Sequence, residues 1–186
     1  DFVRGDISVT NGSISNFDGS GTTYSATFTP LASGPTTINV LADVYIDSIG
    51  NTNQASSEFN WTFDNIKPTM TISSTTVTSG FTTNDSSINL IFTSSEPTSD
   101  FSLNDISVNG GTIINFNPQN GSNTIYNATL IPSGSGQRNI QTSISVQANI
   151  YTDEAGNSNM ESNLFNWTFD NIQPIMTISS TTVTSG

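Results

Sequence analysis

Residues 59–80 return almost unchanged at 165–186. Both read FNWTFDNI-x-P-x-MTISSTTVTSG, and 20 of 22 positions agree, the exceptions being Lys67/Gln173 and Thr69/Ile175. The displacement of 106 residues is the size of one small β-domain. A chain that repeats a whole domain supplies length or valency rather than one chemical centre, and it folds as serial units. The correspondence runs further. Asp1-Phe2 and Asp6-Ile7-Ser8-Val9 return at Asp100-Phe101 and Asp105-Ile106-Ser107-Val108, displaced by 99. Tyr24 and Pro30 return at Tyr126 and Pro132, and Asp47, Gly50 and Asn51 at Asp153, Gly156 and Asn157. The second copy therefore gains length between Phe116 and Tyr126 and between Pro132 and Ile150. Those places read as loops, which absorb length at low cost.

The first copy has no counterpart of 81–99. We therefore read 1–65 as a repeat lacking its first strands, 66–171 as a complete repeat and 172–186 as the first strand of a further repeat. On this reading the chain is a window on a longer tandem array. In a rival reading the terminal strand at 175–182 completes the first unit of a neighbouring molecule by strand donation, with nothing to replace the strand expected at 87–93.

Alternation with period two fills both copies. Ile88, Leu90 and Phe92 alternate with Asn89, Ile91 and Thr93, while Tyr126, Ala128 and Leu130 alternate with Asn127 and Thr129. Ile140, Ile144, Val146, Ala148 and Ile150 share one parity, matched by Ile38, Val40, Ala42, Val44 and Ile46. Phe165, Trp167 and Phe169 share a face and are expected to anchor the core. Asn109-Gly110-Gly111 carries a hairpin signal. The complete copy thus predicts strands at 69–74, 86–93, 105–109, 112–117, 124–131, 139–150 and 160–169. Such a count in one short unit predicts an all-β fold of tandem Greek-key β-sandwiches, with about seven strands per repeat.

Composition narrows the function. Lys and Arg number 3 against 15 Asp and Glu, a net charge of −12, which argues against nucleic acid and anionic membrane surfaces as partners. No apolar run approaches the roughly 18 residues of a membrane-inserting helix. With no Cys and no His, disulfides and the usual nucleophile–base pairs are absent. The adjacent carboxylates Asp153-Glu154 are not kept in the first copy, where Ser48 takes the second place. The chain therefore reads as no enzyme.

With the strands placed, family motifs emerge. Asp64-Asn65-Ile66-Lys67-Pro68-Thr69 leads into Thr71-Ile72-Ser73-Ser74. Thr83-Asn84-Asp85-Ser86-Ser87-Ile88, Ser95-Glu96-Pro97 and Phe101-Ser102-Leu103-Asn104-Asp105-Ile106 follow, and Asp153-Glu154-Ala155-Gly156-Asn157 closes the series. In order, and twice over, this resembles the bacterial Ig-like tandem repeat domain of large extracellular adhesin and surface proteins. Asp47-Ser48-Ile49-Gly50 departs from the pattern Asp-x-Ala-Gly. The resemblance implies Ig-like sandwiches, an extracellular or cell-surface location and a spacing role. Partners would be neighbouring repeats of the same chain, or copies of itself in a filament. The alternative is a ligand-binding adhesin module for carbohydrate or a host protein. That alternative expects aromatics and acids concentrated in the loops of one copy, whereas the loops here carry Ser, Asn and Gly.

The candidate site residues fall in three groups. Asp47 and Asn51 (with Asn53 and Glu58), and Asp153 and Asn157 (with Asn159 and Glu161), crowd one loop in each copy; Asp64 and Asp170 stand at the junctions. Oxygen ligands of this kind suit calcium, while Asp-x-x-Gly-Asn equally suits a tight turn, and both readings stand. Six sequons, at Asn11, Asn60, Asn84, Asn120, Asn127 and Asn166, are glycosylation candidates where the source supports it. Asn60 and Asn166 should project opposite the Trp face, and Asn127 opposite Tyr126. Arg4-Gly5-Asp6 spells an integrin-binding tripeptide, but only the Asp returns in the second copy, at Asp105, and the segment is expected to open a strand. The junctions 64–68 and 170–174 each end in Pro, so they read as short extended links of a stiff rod, loaded in shear when pulled.

Overall fold

The computed structural model describes residues 1–134, 136 and 138–182, so the last residues of the expected closing strand, 183–186, lie outside the described residues. The chain divides into two compact units, Asp1–Ile66 and Lys67 onward. Unit 1 contains β1 (Ile7–Thr10), β2 (Gly12–Ser20), β3 (Thr23–Pro30), β4 (Gly34–Val40) and β5 (Phe59–Phe63). Unit 2 contains β6 (Met70–Ser74), β7 (Thr82–Thr83), β8 (Ile88–Ser94), β9 (Ile106–Asn109), β10 (Gly111–Pro118), β11 (Ile125–Pro132), β12 (Ile140–Val146) and β13 (Phe165–Phe169). Unit 2 pairs its strands as two sheets, β10-β11-β8-β6 and β7-β13-β12-β9. Unit 1 holds the matching β2-β3 and β1-β4-β5.

The sandwich of unit 2 follows from its alternation. Ile88, Leu90 and Phe92 of β8 are buried and Asn89 and Thr93 are exposed. Met70, Ile72, Leu130, Ile144, Val146, Phe165 and Trp167 join them in one core. Trp167 is 1 % exposed, as its place beside Phe165 and Phe169 predicts. Each buried ring or branched chain here removes enough apolar surface to contribute about 2–3 kcal/mol.

Three expectations need correction. Asn109-Gly110-Gly111 is no hairpin: β9 pairs with β12, and β10 pairs with β11 in the other sheet. The glycines let the backbone step between sheets. A Cβ on Gly110 would lie 2.5 Å from the Gln141 carbonyl oxygen, and one on Gly111 2.8 Å from that of Ile131. Gly110 also has φ 77°, and in unit 1 Asn11 takes its place at φ 56°. The strand expected at 139–150 stops at Val146, and its counterpart stops at Val40. Beyond those points Asn149 and Asp43, both at φ 61°, turn the chain away. The strand expected at 160–169 begins only at Phe165. Upstream of it the Asn163 amide accepts from Ile72 N at 2.7 Å and donates to Ile72 O at 3.0 Å, replacing a strand along the edge of β6. Periodicity also missed β7, which lies parallel to β13 through Thr82↔Thr168 and Thr83↔Phe169.

Candidate functional site

The loop after β4 and after β12 gathers most of the candidate residues, and its shape is set by one amide. Asn159, 1 % exposed, accepts from Ile150 N at 2.8 Å and Tyr151 N at 3.0 Å. It donates to Gln147 O at 2.8 Å and Met160 O at 2.7 Å. Four backbone groups that a strand would have paired are satisfied by one side chain. Asn53 repeats the arrangement on Val44 N, Tyr45 N, Leu41 O and Gln54 O, at 2.7 to 3.0 Å. All four hydrogen-bonding positions of each amide are engaged by backbone.

The Asp-x-x-Gly-Asn segment follows. Asp47 accepts from the backbone N–H groups of Ile49 and Asn51, each at 2.9 Å, and from Asn51 Nδ2 at 2.9 Å. Asp153 accepts from Asn157 N at 2.8 Å and Asn157 Nδ2 at 2.9 Å. Gly50 and Gly156 complete the turns at φ 92° and 89°. The Asn51 amide, helped by the Asn51 and Ile49 N–H groups, holds the Asp47 carboxyl below the usual carboxylate range. For Asp153 burial pushes upward, but the Asn157 side chain and N–H outweigh it and the net shift is downward. A carboxylate oxygen of Glu96 lies within 4.8 Å of one of Asp153.

A further acid, which the sequence reading left out as a candidate, locks the loop to the segment just before β9, as its counterpart does to the segment before β1 in unit 1. Asp100 accepts from Thr98 Oγ1 at 2.8 Å, Thr152 N at 3.0 Å and Thr152 Oγ1 at 2.8 Å. Its carboxyl is pushed up by burial and pulled further down by the Thr152 and Thr98 bonds. Asp1 repeats the contact, accepting from Ile46 N at 2.9 Å. The signal was present, since Asp1 and Asp100 share a displacement with their neighbours. What the sequence hid was the partner, which is a backbone group 45 or 52 residues away.

The remaining candidates stand apart from this loop in sequence and each has its own partner. Asp64 accepts from Ser33 Oγ at 3.2 Å and Ile66 N at 3.0 Å, and Asp170 from Ile172 N at 3.0 Å. Asn60, Asn84 and Asn120 are exposed, and Asn127 and Asn166 half-buried. The segment before β7 runs beside Asn166, with Gly80 N donating to its carbonyl at 2.7 Å. Asn11 is held by the following loop: its amide donates to Ala32 O at 2.7 Å and accepts from Ala32 N at 3.2 Å. Arg4–Asp6 forms a short 3-10 turn just before β1, not the strand itself, and Asp6 accepts from Val3 N at 2.8 Å. Asp105 does the same for Ser102 N at 2.7 Å. Arg4 Nε donates to Ile14 O at 2.8 Å, so both charged ends of the tripeptide have structural partners.

The arrangement can hold turns. Its carboxylates act as hydrogen-bond acceptors, and the same acceptors recur in both units. Among the described residues no helix is long and apolar enough to cross a membrane. The family model described as bacterial Ig-like domain matches twice, over residues 1–63 and 64–168. No curated protein matches the chain.

Proposed function

Because the chain belongs to the bacterial Ig-like domain family, whose members are typically non-enzymatic modules of surface proteins, we propose that it is a structural spacer: a tandem-repeat segment of a long extracellular fibre, filament or adhesin stalk. One observation carries this reading. The acids and amides of the loop form the same backbone clamps in both copies, Asp47 with Asp153, Asn53 with Asn159 and Asp1 with Asp100. What is duplicated is therefore a shape. A ligand site would need polar groups pointing at solvent in a constellation particular to one copy.

In the spacer each repeat adds a fixed length, and the Pro-terminated junction limits bending. A surface rich in Ser, Thr and Asn, with few charges, stays hydrated over that length. Glycans on the exposed Asn60, Asn84 and Asn120 would add to this without touching the core. The loop acids act as turn formers, and calcium is not required to hold them.

Arrays of two, four and six repeats test the proposal by small-angle scattering and electron microscopy. The maximum dimension should rise by a constant increment per repeat. Growth only as the cube root of mass would mean that the repeats collapse together, and would overturn the spacer reading.

A further inference from the structure

We propose that Asn120 is a site of self-modification. Its side-chain amide is cyclised by the backbone nitrogen of Gly121 and hydrolysed to an aspartyl or isoaspartyl residue, faster than at any other Asn-Gly pair of the chain. Asn-Gly meets this reaction with the least steric resistance, because glycine has no Cβ to shield the attacking nitrogen. The chain holds three such pairs, Asn11-Gly12, Asn109-Gly110 and Asn120-Gly121. Sequence alone ranks them equally; the structure separates them.

The chemistry sets the geometric demand. The Gly nitrogen bonds to Asn Cγ and the Cγ–Nδ2 bond breaks. The proton of the Gly nitrogen goes with Nδ2, which leaves as ammonia. One water then opens the five-membered succinimide at either carbonyl. Ring closure requires the Asn side chain to be free and its backbone to rotate until the Gly nitrogen reaches Cγ. A pair held by hydrogen bonds or close packing reacts only in those molecules in which it has opened.

Two of the pairs are held. The Asn11 amide is engaged with both Ala32 O and Ala32 N. Gly12 begins β2 in register with Pro30, and the Phe28 ring lies 2.0 Å from where a Cβ on it would stand. Asn109 is exposed, so solvent reaches its amide. Its backbone is fixed instead, by pairing with Ser143 of β12 and by the bond from Ser133 N to Gly110 O at 2.8 Å. Gly110 is also wedged against Gln141 and Thr142. Rotation there would strip the end of β9 from its sheet.

Asn120 escapes both restraints. It is exposed, and its amide has no hydrogen-bond partner among the described residues. It stands at φ 52°, ψ 32° in the short turn Gln119–Gly121, between β10 and β11. Gly121, at φ 73°, has no heavy atom beyond its chain neighbours within 4 Å of where a Cβ would be. The strands are anchored on either side of the pair. The β10–β11 ladder ends at Pro118↔Tyr126, and Ser122 Oγ accepts from Thr124 N at 3.0 Å and Ile125 N at 3.1 Å. The reaction therefore adds one negative charge to a chain of net charge −12 and leaves the core alone. Nδ2 is also the atom that a glycan on the Asn120 sequon would use, so the two fates compete. None of this depends on whether the repeats act as spacers.

The test incubates the unglycosylated full chain in oxygen-18 water at mildly alkaline pH. Peptide mapping with electron-transfer fragmentation follows mass and label at each Asn. Conversion at Asn120 should run at least about ten-fold faster than at Asn11 or Asn109. In urea strong enough to unfold the chain the three rates should converge. In the folded chain Gly121→Ala should slow conversion at position 120 by at least about ten-fold. Asn11 or Asn109 keeping pace with Asn120 in the folded chain overturns the inference, as does indifference to Gly121→Ala. The same ranking in urea also overturns it, because local sequence rather than the fold then sets the rates.

Discussion

Unit 1 and unit 2 share their loops and differ in their cores. The amide clamps, Asp turns and aromatic clusters are nearly superposable in bond length and ring spacing. Burial at the closing face is not: Trp167 and Phe165 are inside, whereas Trp61 is half-buried and Phe59 exposed. Near the sheet crossover the units agree again, with Ile14 7 % exposed against 8 % for Ile113, and Thr36 0 % against 1 % for Thr142. The lesson is a division of labour. Hydrogen-bonded loops specify the local path in both units, and in unit 2 Met70 and Ile72 of β6 and Ile88, Leu90 and Phe92 of β8 complete the hydrophobic core.

Substitutions can break that comparison. The largest effect should come from Trp167→Ala, which removes about 3–5 kcal/mol from unit 2, while Trp61→Ala should remove under about 2 kcal/mol from unit 1. Urea melts read both, and equal losses would erase the distinction. Trp167→Phe should be milder than Trp167→Ala, because Trp167 Nε1 is buried without a hydrogen-bond partner.

Next comes the clamp. Asn159→Ala removes a buried amide that partners four backbone groups, that of the buried Tyr151 among them, and should destabilise unit 2 by about 3 kcal/mol. Asn53→Ala, with water at hand, should cost about 1 kcal/mol. Thermal melts with hydrogen exchange on Ile150 and Tyr151, and on Val44 and Tyr45, separate the two.

Acid should act more gently. The carboxyls of Asp47, Asp100 and Asp153 are held below their ordinary value, so the folded state binds protons less readily than the unfolded chain. Their stabilisation is complete above the unfolded value of about 4 and is lost as pH falls through the lower folded values. Melting temperature should be level from pH 7 to about 5 and drop below about 4. Asp100→Asn should flatten that drop, and an unchanged acid limb in Asp100→Asn would sink the assignment. The smallest effect belongs to calcium. Adding it should leave the melting temperature where it was, and a concentration-dependent rise would turn Asp47, Asn51, Asp153, Asn157, Asp64 or Asp170 into ligands.

The sequence disclosed what depends on alternation and repetition. Ile88, Leu90 and Phe92, and Phe165, Trp167 and Phe169, announced buried faces because period two is a local property. Strand ends were hidden where a side chain replaces a strand. Asn159 and Asn163 look like ordinary loop residues in a row of letters, and their backbone partners are fixed only by the tertiary path. Asn109-Gly110-Gly111 misled for the same reason: a hairpin and a step between sheets both ask for glycine. Of the candidate site, the pairing of Asp153 with Asn157 was legible from spacing. The Asp100 bond to Thr152 was not, since it joins segments far apart in the chain.

The four-way grip of Asn53 and Asn159 has a consequence for variation. It grasps main chain alone, so the gripped residues are at liberty to change, and three of the four do: Leu41 against Gln147, Val44 against Ile150, Gln54 against Met160. Successive modules can thus wear different chemistry on an identical contour, and a designer wishing to decorate such a chain would choose those places first.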